Sequence, residues 1–114
     1  MNIHIEVIAE PDHFSVRGNA IDSGDADYDR VIEDAIFERL EQGDVWAWAS
    51  VEVYAWADVG GVIVRSDSEY LGGCCYEDAA EFVKVSGYYD DMAGAARSNL
   101  LAKIESMKTA LQAA

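Results

Sequence analysis

Residues 45–57, with the sequence VWAWASVEVYAWA, show the strictest alternation in the chain. A period of two places successive side chains on opposite faces of a β-strand. One face of this predicted strand carries only small residues, namely Ala47, Ala49, Val51, Val53, Ala55 and Ala57. The other face carries Trp46, Trp48, Ser50, Glu52, Tyr54 and Trp56. Because small side chains allow close approach, we expect helices on the alanine face and the aromatic residues on the opposite face of the sheet.

Shorter patterns before and after this segment predict its neighbouring strands. Residues 3–9 alternate between apolar and polar, and Pro11-Asp-His13 is typical of a turn. Residues 14–20 alternate more weakly, so we expect a second strand there that forms a hairpin with the first. Asp58-Val-Gly-Gly61 predicts another hairpin turn, followed by a strand over residues 62–64.

The pattern between this second hairpin and the next helix is less regular. An extended piece is expected at Tyr70-Leu71. Gly72-Gly73 indicates a bulge or a close backbone approach.

Two main helices are predicted, one in each half of the chain. The first begins after a cap at Asp25 or Asp27 and runs to about Gln42, where Gly43 permits a left-handed stop. A short helical turn is expected over residues 77–83. The second main helix reaches the C-terminus, with apolar residues at spacings of three and four: Tyr89, Met92, Ala93, Ala96, Leu100, Ile104, Met107 and Leu111.

The predicted fold class is therefore α+β, in one domain over residues 1–114. The expected element order is strand, strand, helix, strand, strand, helix. An antiparallel sheet of about four strands with the two main helices on one face is the simplest arrangement of these elements.

The charge of the chain restricts its partners. There are 22 acidic and 8 basic side chains, for a formal net charge of −14. A polyanion repels nucleic acid and anionic membrane surfaces, so we expect no direct binding of either. A basic, nucleic-acid-binding protein or complex is the expected class of partner. Few lysines and many aspartates are also typical of halophilic adaptation, in which the acidity serves solubility alone.

Metal binding is not expected from the spacing of the acidic residues. Asp25, Asp27 and Asp29 match the first three ligands of a calcium loop. The loop requires Gly and Glu at its sixth and twelfth positions, where this chain has Arg30 and Ile36. A solvated helix start explains the three aspartates better.

The cysteines do not indicate an enzyme or a secreted scaffold. Cys74 and Cys75 are adjacent, which favours reduced thiols in a cytoplasm over a disulfide framework. Neither His4 nor His13 is placed beside them by the sequence pattern. No signal peptide, membrane span or glycine-rich phosphate loop is visible. We therefore expect a non-enzymatic protein without cofactor or metal.

The first helix carries the main candidate binding surface. At 100° per residue its outward stripe contains Asp34, Glu38 and Glu41, flanked by Glu33 and Arg30. Like-charge pairs three or four residues apart destabilise an isolated helix by about 0.2–0.5 kcal/mol each. Phe37 is predicted on the same outward side. An exposed aromatic residue surrounded by acids is typical of a protein interface. The candidate partner-binding residues are Glu33, Asp34, Phe37, Glu38 and Glu41.

Alternatives remain for this helix. Phe37 could instead pack under a loop, with the acids merely solvated. The side expected to be buried contains Tyr28, Val31, Ile32, Ala35, Ile36 and Leu40. Arg39 falls within that apolar arc, so either its side chain extends to solvent or the helix is rotated relative to this assignment.

The aromatic strand face is the second candidate surface. Trp46, Trp48, Tyr54 and Trp56 would together bury several hundred Å² at roughly 150–250 Å² each. The loop over residues 66–76, a second copy of the chain or a foreign protein could cover them.

Several short strings in residues 45–100 resemble small proteins of unassigned function that phages and other mobile elements encode. These strings are Trp46-Ala-Trp48, Glu52-Val53, Tyr70-Leu71-Gly72-x-Cys74-x-Tyr76, Glu81-Phe82 and Gly87-Tyr88-Tyr89-Asp90-Asp91-Met92. In size and acidity the chain is also similar to the anti-CRISPR and anti-restriction proteins of those elements, some of which are DNA mimics. The resemblance implies no catalytic or binding residue.

Two hypotheses follow. The first is a small acidic inhibitor of a bacterial nucleic-acid-targeting defence complex, acting in the cytoplasm of the host cell, whose carboxylates occupy a basic channel. The second is a non-enzymatic interaction or scaffold module that uses the aromatic sheet face, with a homodimer as one form of assembly.

Overall fold

A four-stranded antiparallel sheet is built around its longest strand, β2 (Ala49–Val59). The computed structural model describes residues 1–113. Along one edge of β2, the strand β1 (His4–Pro11) pairs over its whole length. The other edge is shared by β3 (Val62–Arg65) and β4 (Glu69–Cys74). The chain is α+β with an antiparallel sheet, as predicted.

The β2–β3 hairpin forms where the glycines predicted it. Val59 pairs with Val62, which leaves Gly60 and Gly61 as a two-residue turn. Both glycines have positive φ, 62° and 87°, which side chains with a Cβ rarely adopt and which a tight hairpin of this kind requires. The Asp58 carboxylate accepts a hydrogen bond from the Gly61 backbone N–H at 2.8 Å.

Within the described residues, three α-helices complete the fold: α1 (Ala26–Glu41), α2 (Ala79–Val85) and α3 (Tyr89–Ala113). Asp25 caps α1 by accepting hydrogen bonds from the backbone N–H groups of the first turn, and Gly43 ends the helix with φ of 83°. Both predicted helix boundaries are confirmed.

The small-residue face of β2 is the centre of the core. Ala49, Val51, Val53, Ala55 and Ala57 are fully buried. Phe82 of α2 and Ala93 of α3 pack against one end of this face, and Leu100 and Ile104 of α3 pack against the other. These short side chains leave room for α3 to lie directly on the strand.

The predicted position of the first helix is wrong. α1 packs in a separate cluster with Val16, Ala47 and Trp48, through Ile36, instead of lying on the alanine face beside α3. The short α2 takes the place beside α3. A single 3₁₀ turn, Val45–Ala47, separates α1 from β2 and provides the surface on which α1 packs.

The predicted second strand over residues 14–20 is also wrong. This segment forms a turn in which the Val16 carbonyl accepts hydrogen bonds from the N–H groups of Asn19 and Ala20, and Gly18 has φ of 79°. β1 pairs with β2 instead. The fourth strand is β4, where only an extended piece was predicted, and its register shifts near the glycine pair as the sequence indicated.

The helices of residues 1–113 include none that is both long and apolar enough to cross a lipid bilayer.

Substitution of Ala55 by Leu tests the close packing of α3 on β2. We expect Ala55→Leu to lower the free energy of unfolding by about 1–3 kcal/mol, because the added side chain has no free space. Urea denaturation followed by tryptophan fluorescence measures the change. Ala95→Leu on the exposed side of α3 is the matched control and should change stability by less than about 0.5 kcal/mol. Equal effects of the two substitutions would contradict the packing.

Candidate functional site

The outward face of α1 carries a stripe of exposed acidic side chains. Asp27, Asp34, Glu38 and Glu41 are all exposed, and their spacings of seven, four and three residues place them on one side of the helix. We call these four residues the α1 acidic stripe. Three of them are among the residues predicted from the sequence. The opposite side of α1 packs through Ile36 and Leu40.

Glu33 does not belong to this surface. The residue is 7% exposed, and its carboxylate accepts a hydrogen bond from the Gly18 backbone N–H at 2.9 Å. Arg17 forms an ion pair with the other Glu33 oxygen at 2.9 Å. The backbone hydrogen bond from Gly18, followed by the contact with Arg17, lowers the pKa of Glu33. Glu33 therefore joins α1 to the loop that contains the turn over residues 14–20, and it is not free to bind a partner.

Asp34 is shared between the surface and the same loop. It is exposed, but one carboxylate oxygen lies 2.6 Å from the second guanidinium nitrogen of Arg17. Arg17 thus neutralises one end of the predicted acidic group. Glu38 and Glu41 take part in none of the ion pairs formed within residues 1–113.

The prediction that Phe37 is exposed on the outward side of α1 is wrong. Phe37 is half-buried against the cluster around Val16 and Trp48, and the Arg17 guanidinium lies over its ring at 4.9 Å from the centroid. The physical reason is that Phe37 lies one turn after Glu33, on the side of α1 that the loop covers. The alternative of a phenylalanine under a loop is what the structure shows.

Two other apolar residues are exposed on α1. Val31 is 65% exposed and lies between Asp27 and Asp34 on the helix surface, and Tyr28 is 53% exposed. The sequence pattern placed both residues on the buried side of α1. The predicted buried side is therefore rotated about the helix axis relative to the side that packs in the structure. The polar Glu33 lies near the centre of that packed side, which is why apolar periodicity alone did not find it.

The position of Arg39 follows from this rotation of α1. Its guanidinium donates to the Asp44 carboxylate at 2.8 Å and to the Tyr76 backbone carbonyl at 2.6 Å. Arg39 therefore joins the end of α1 to the segment after β4. Desolvation opposes the charge of this guanidinium, but the Asp44 carboxylate more than offsets it, so the pKa of Arg39 is raised.

Tyr54 and Trp56 lie on the open face of the sheet, as the alternation predicted. Trp56 stacks on the His4 ring at 4.2 Å and donates its indole N–H to Glu6 at 2.9 Å. The Arg65 guanidinium lies 3.5 Å from the centroid of the Tyr54 ring. Within residues 1–113 the helices pack on the other face of the sheet or on the 3₁₀ turn.

A polar network joins the side chains of this open face. Glu52 pairs with Arg65 at 2.8 Å and accepts hydrogen bonds from the hydroxyls of Ser68 and Tyr70. Ile63 and Tyr70 are exposed beside this network. We call the surface formed by Glu52, Tyr54, Trp56, Ile63, Arg65 and Tyr70 the open sheet face.

The other two predicted aromatic residues, Trp46 and Trp48, are not on this face. Trp48 is buried beside Val16 and donates its indole N–H to the Phe14 carbonyl at 2.9 Å. Trp46 packs against Phe82 on the helix-covered side. Residues 45–47 form a 3₁₀ turn, which repeats every three residues and not every two. The two-residue alternation of β2 therefore does not predict where the side chains before Ala49 point.

The two adjacent cysteines differ in their exposure. Cys74 is buried in the core, and burial raises its pKa to about 11, so the thiol is protonated at neutral pH. Cys75 is exposed, with its sulfur 3.7 Å from an Arg39 nitrogen. The described residues contain no group of three or more His, Cys, Asp or Glu side chains that could hold a metal ion.

No protein-family model, curated protein or solved structure matches the chain.

The lowered pKa of Glu33 predicts a pH-dependent contribution to stability. The ordinary pKa of a glutamate is about 4.3, so the contribution is present above that pH and is lost as the pH falls through the lower pKa of the folded state. We expect Glu33→Gln to be less stable than wild type at pH 7, with the difference shrinking under acid conditions. Urea midpoints between about pH 7 and pH 3 measure it.

Glu38→Gln is the matched control, since it changes an exposed carboxylate on the same helix. It should cause no comparable loss of stability at pH 7. A Glu33→Gln difference that stays constant over the whole pH range would contradict an ionised, hydrogen-bonded Glu33.

Proposed function

We propose that this protein binds the basic surface of a nucleic-acid-binding protein through the outward face of α1, in competition with nucleic acid. The observation that carries the proposal is the α1 acidic stripe, with the exposed Val31 between its members. This function is non-enzymatic and needs no cofactor. Val31 and Tyr28 replace Phe37 as the apolar contact residues of the proposed surface.

The charge arrangement favours a binding role over a purely structural one. Asp34 and Glu38 are four residues apart, and Glu38 and Glu41 are three apart, so their mutual repulsion destabilises α1. Arg17 compensates only the Asp34 end. A Lys- or Arg-lined partner would relieve the repulsion between the remaining carboxylates, and long-range attraction would speed the encounter.

The dimensions of the stripe are compatible with imitation of part of a phosphate backbone. From Asp27 to Glu41 the helix rises by about 21 Å at roughly 1.5 Å per residue. One DNA strand carries a phosphate about every 3.4 Å over the same length. The four carboxylates therefore supply a lower charge density than DNA, and apolar contacts through Val31 would contribute the remaining affinity.

The resemblance to phage-encoded proteins suggests the class of target. We propose that the partner belongs to a bacterial nucleic-acid-targeting defence complex of the CRISPR or restriction type, and that the protein acts as an inhibitor inside the bacterial host cell. The support for this step is the resemblance together with the acidic surface.

Displacement of proteins from immobilised DNA tests the proposed function. Bacterial lysate is loaded on duplex DNA, and the bound proteins are eluted with wild-type protein at low salt. We expect a discrete basic protein or complex to be displaced, and its affinity for the purified protein to fall with added salt. Glu38→Lys/Glu41→Lys should weaken this binding by about tenfold or more. Lysines near the C-terminus of α1 suit the helix dipole, so the variant should fold.

The matched control is Glu77→Lys/Glu105→Lys, which makes the same change in net charge at exposed positions outside α1. It should retain most of the binding. Equal losses in the two double variants would mean that net charge alone matters, and the absence of any displaced protein would refute competition with nucleic acid.

A second candidate function is protein interaction through the open sheet face. The observation that favours it is that Tyr54, Trp56 and Arg65 lie on a face that no helix within residues 1–113 covers. Trp48 cannot test this function, because truncation of so buried an aromatic residue costs about 3–5 kcal/mol of stability.

Trp56→Ala distinguishes the second function from the first. If the open sheet face is the binding surface, this substitution should abolish partner binding, and salt should have little effect on the wild-type affinity. Tyr28→Ala, which removes an exposed aromatic residue from α1, is the control and should bind normally. Isothermal titration calorimetry with the partner from the displacement experiment measures both. Retained binding by Trp56→Ala would exclude this surface.

A further inference from the structure

The last turns of α3 project from the body of the protein. The molecule measures 64 × 26 × 23 Å. Ile104 is the last residue of α3 whose side chain is buried, and residues 105–113 are all exposed. At about 1.5 Å per residue, this segment extends the helix by roughly 13 Å past its last core contact.

The apolar stripe that packs α3 on the sheet continues along the projecting segment. Leu100 and Ile104 are buried against β2, and Met107 and Leu111 follow at spacings of three and four on the same side of the helix. Met107 is 41% exposed and Leu111 is 77% exposed. A helical segment this short gains little stability by itself, so an apolar partner would add to it.

The end of the sheet provides a second apolar surface beside this segment. Val59 and Val62 are paired at the β2–β3 turn, and their side chains point to the face on which α3 lies. Val59 packs with the cluster that contains Ile104, whereas Val62 is 57% exposed. The sheet end and the projecting helix thus form a step, which we call the α3 step and define by Val62, Met107 and Leu111.

We propose that the α3 step binds a second copy of this chain. A step of this shape is self-complementary about a twofold axis, because two projecting helices can lie antiparallel with each filling the other's step. Met107 of each copy would then contact the other helix, and Leu111 would approach Val62 of the other copy. Both steps are filled by one symmetric contact, which leaves neither step free to extend a chain of copies.

The charge distribution favours a second copy over the basic partner proposed for α1. The whole chain has a formal charge of −14, but residues 105–113 carry only Glu105 and Lys108, so their net charge is zero. Two copies therefore approach with the least repulsion at this end. A basic partner gains no electrostatic attraction from a neutral, apolar step. This interaction does not depend on the proposed function of α1.

Sedimentation velocity of the full chain tests the proposal between about 10 µM and about 1 mM. We expect a reversible monomer–dimer equilibrium that strengthens from low to high salt, because salt screens the repulsion between acidic bodies while apolar contacts persist. Met107→Glu/Leu111→Glu should weaken dimerisation by about tenfold or more. Far-UV circular dichroism and urea denaturation establish that the variant is folded.

Thr109→Glu is the matched control, since it adds an acid to the opposite side of the same projecting segment. It should dimerise like wild type apart from a small effect of charge. A monomeric wild-type protein at all concentrations and salts would overturn the proposal, as would unchanged dimerisation of the Met107/Leu111 variant. Loss of the dimer in Thr109→Glu alone would assign the contact to another face and overturn it too. If the wild type is monomeric and binds a foreign protein that the Met107/Leu111 variant does not bind, the α3 step belongs to that protein and the proposal is likewise overturned.

Discussion

Close packing of α3 on the inner face of β2 is the contact on which the rest of the structure depends. Every second side chain from Ala49 to Ala57 is small and fully buried, so the helix lies directly on the strand. Because this face accepts α2 and α3, the described part of the chain leaves the other face of the sheet open around Tyr54 and Trp56. Since α3 is longer than the strand face it covers, its apolar stripe continues past the sheet to Leu111.

A second contact, between Arg17 and α1, decides which acids are available on the surface. Arg17 binds Glu33 and Asp34 and covers the ring of Phe37. The loop thereby covers one side of α1, whereas Glu38 and Glu41 remain exposed on the outward side. The formal charge of −14 is in this way divided between acids that hold the fold together and acids that face solvent.

Local signals in the sequence were sufficient for several elements. The cap at Asp25, the stop at Gly43 and the Gly60-Gly61 turn each act within a few residues of chain, and each predicted boundary was right. The same reasoning failed where a distant partner decided the outcome. Residues 14–20 have a weak strand pattern, but their turn is held under α1 by Val16 and by the bond from Gly18 to Glu33.

The sequence by itself determined the elements whose signals are short-range, together with the small inner face of β2 and the outward acids of α1. Only the tertiary structure decided the rotation of α1, the burial of Glu33, the half-burial of Phe37, and the separation of Trp46 and Trp48 from Tyr54 and Trp56. The physical reason is that periodicity shows which residues share a side of an element. Which side is covered depends on contacts such as that of Arg17 with Glu33, across sixteen residues of chain.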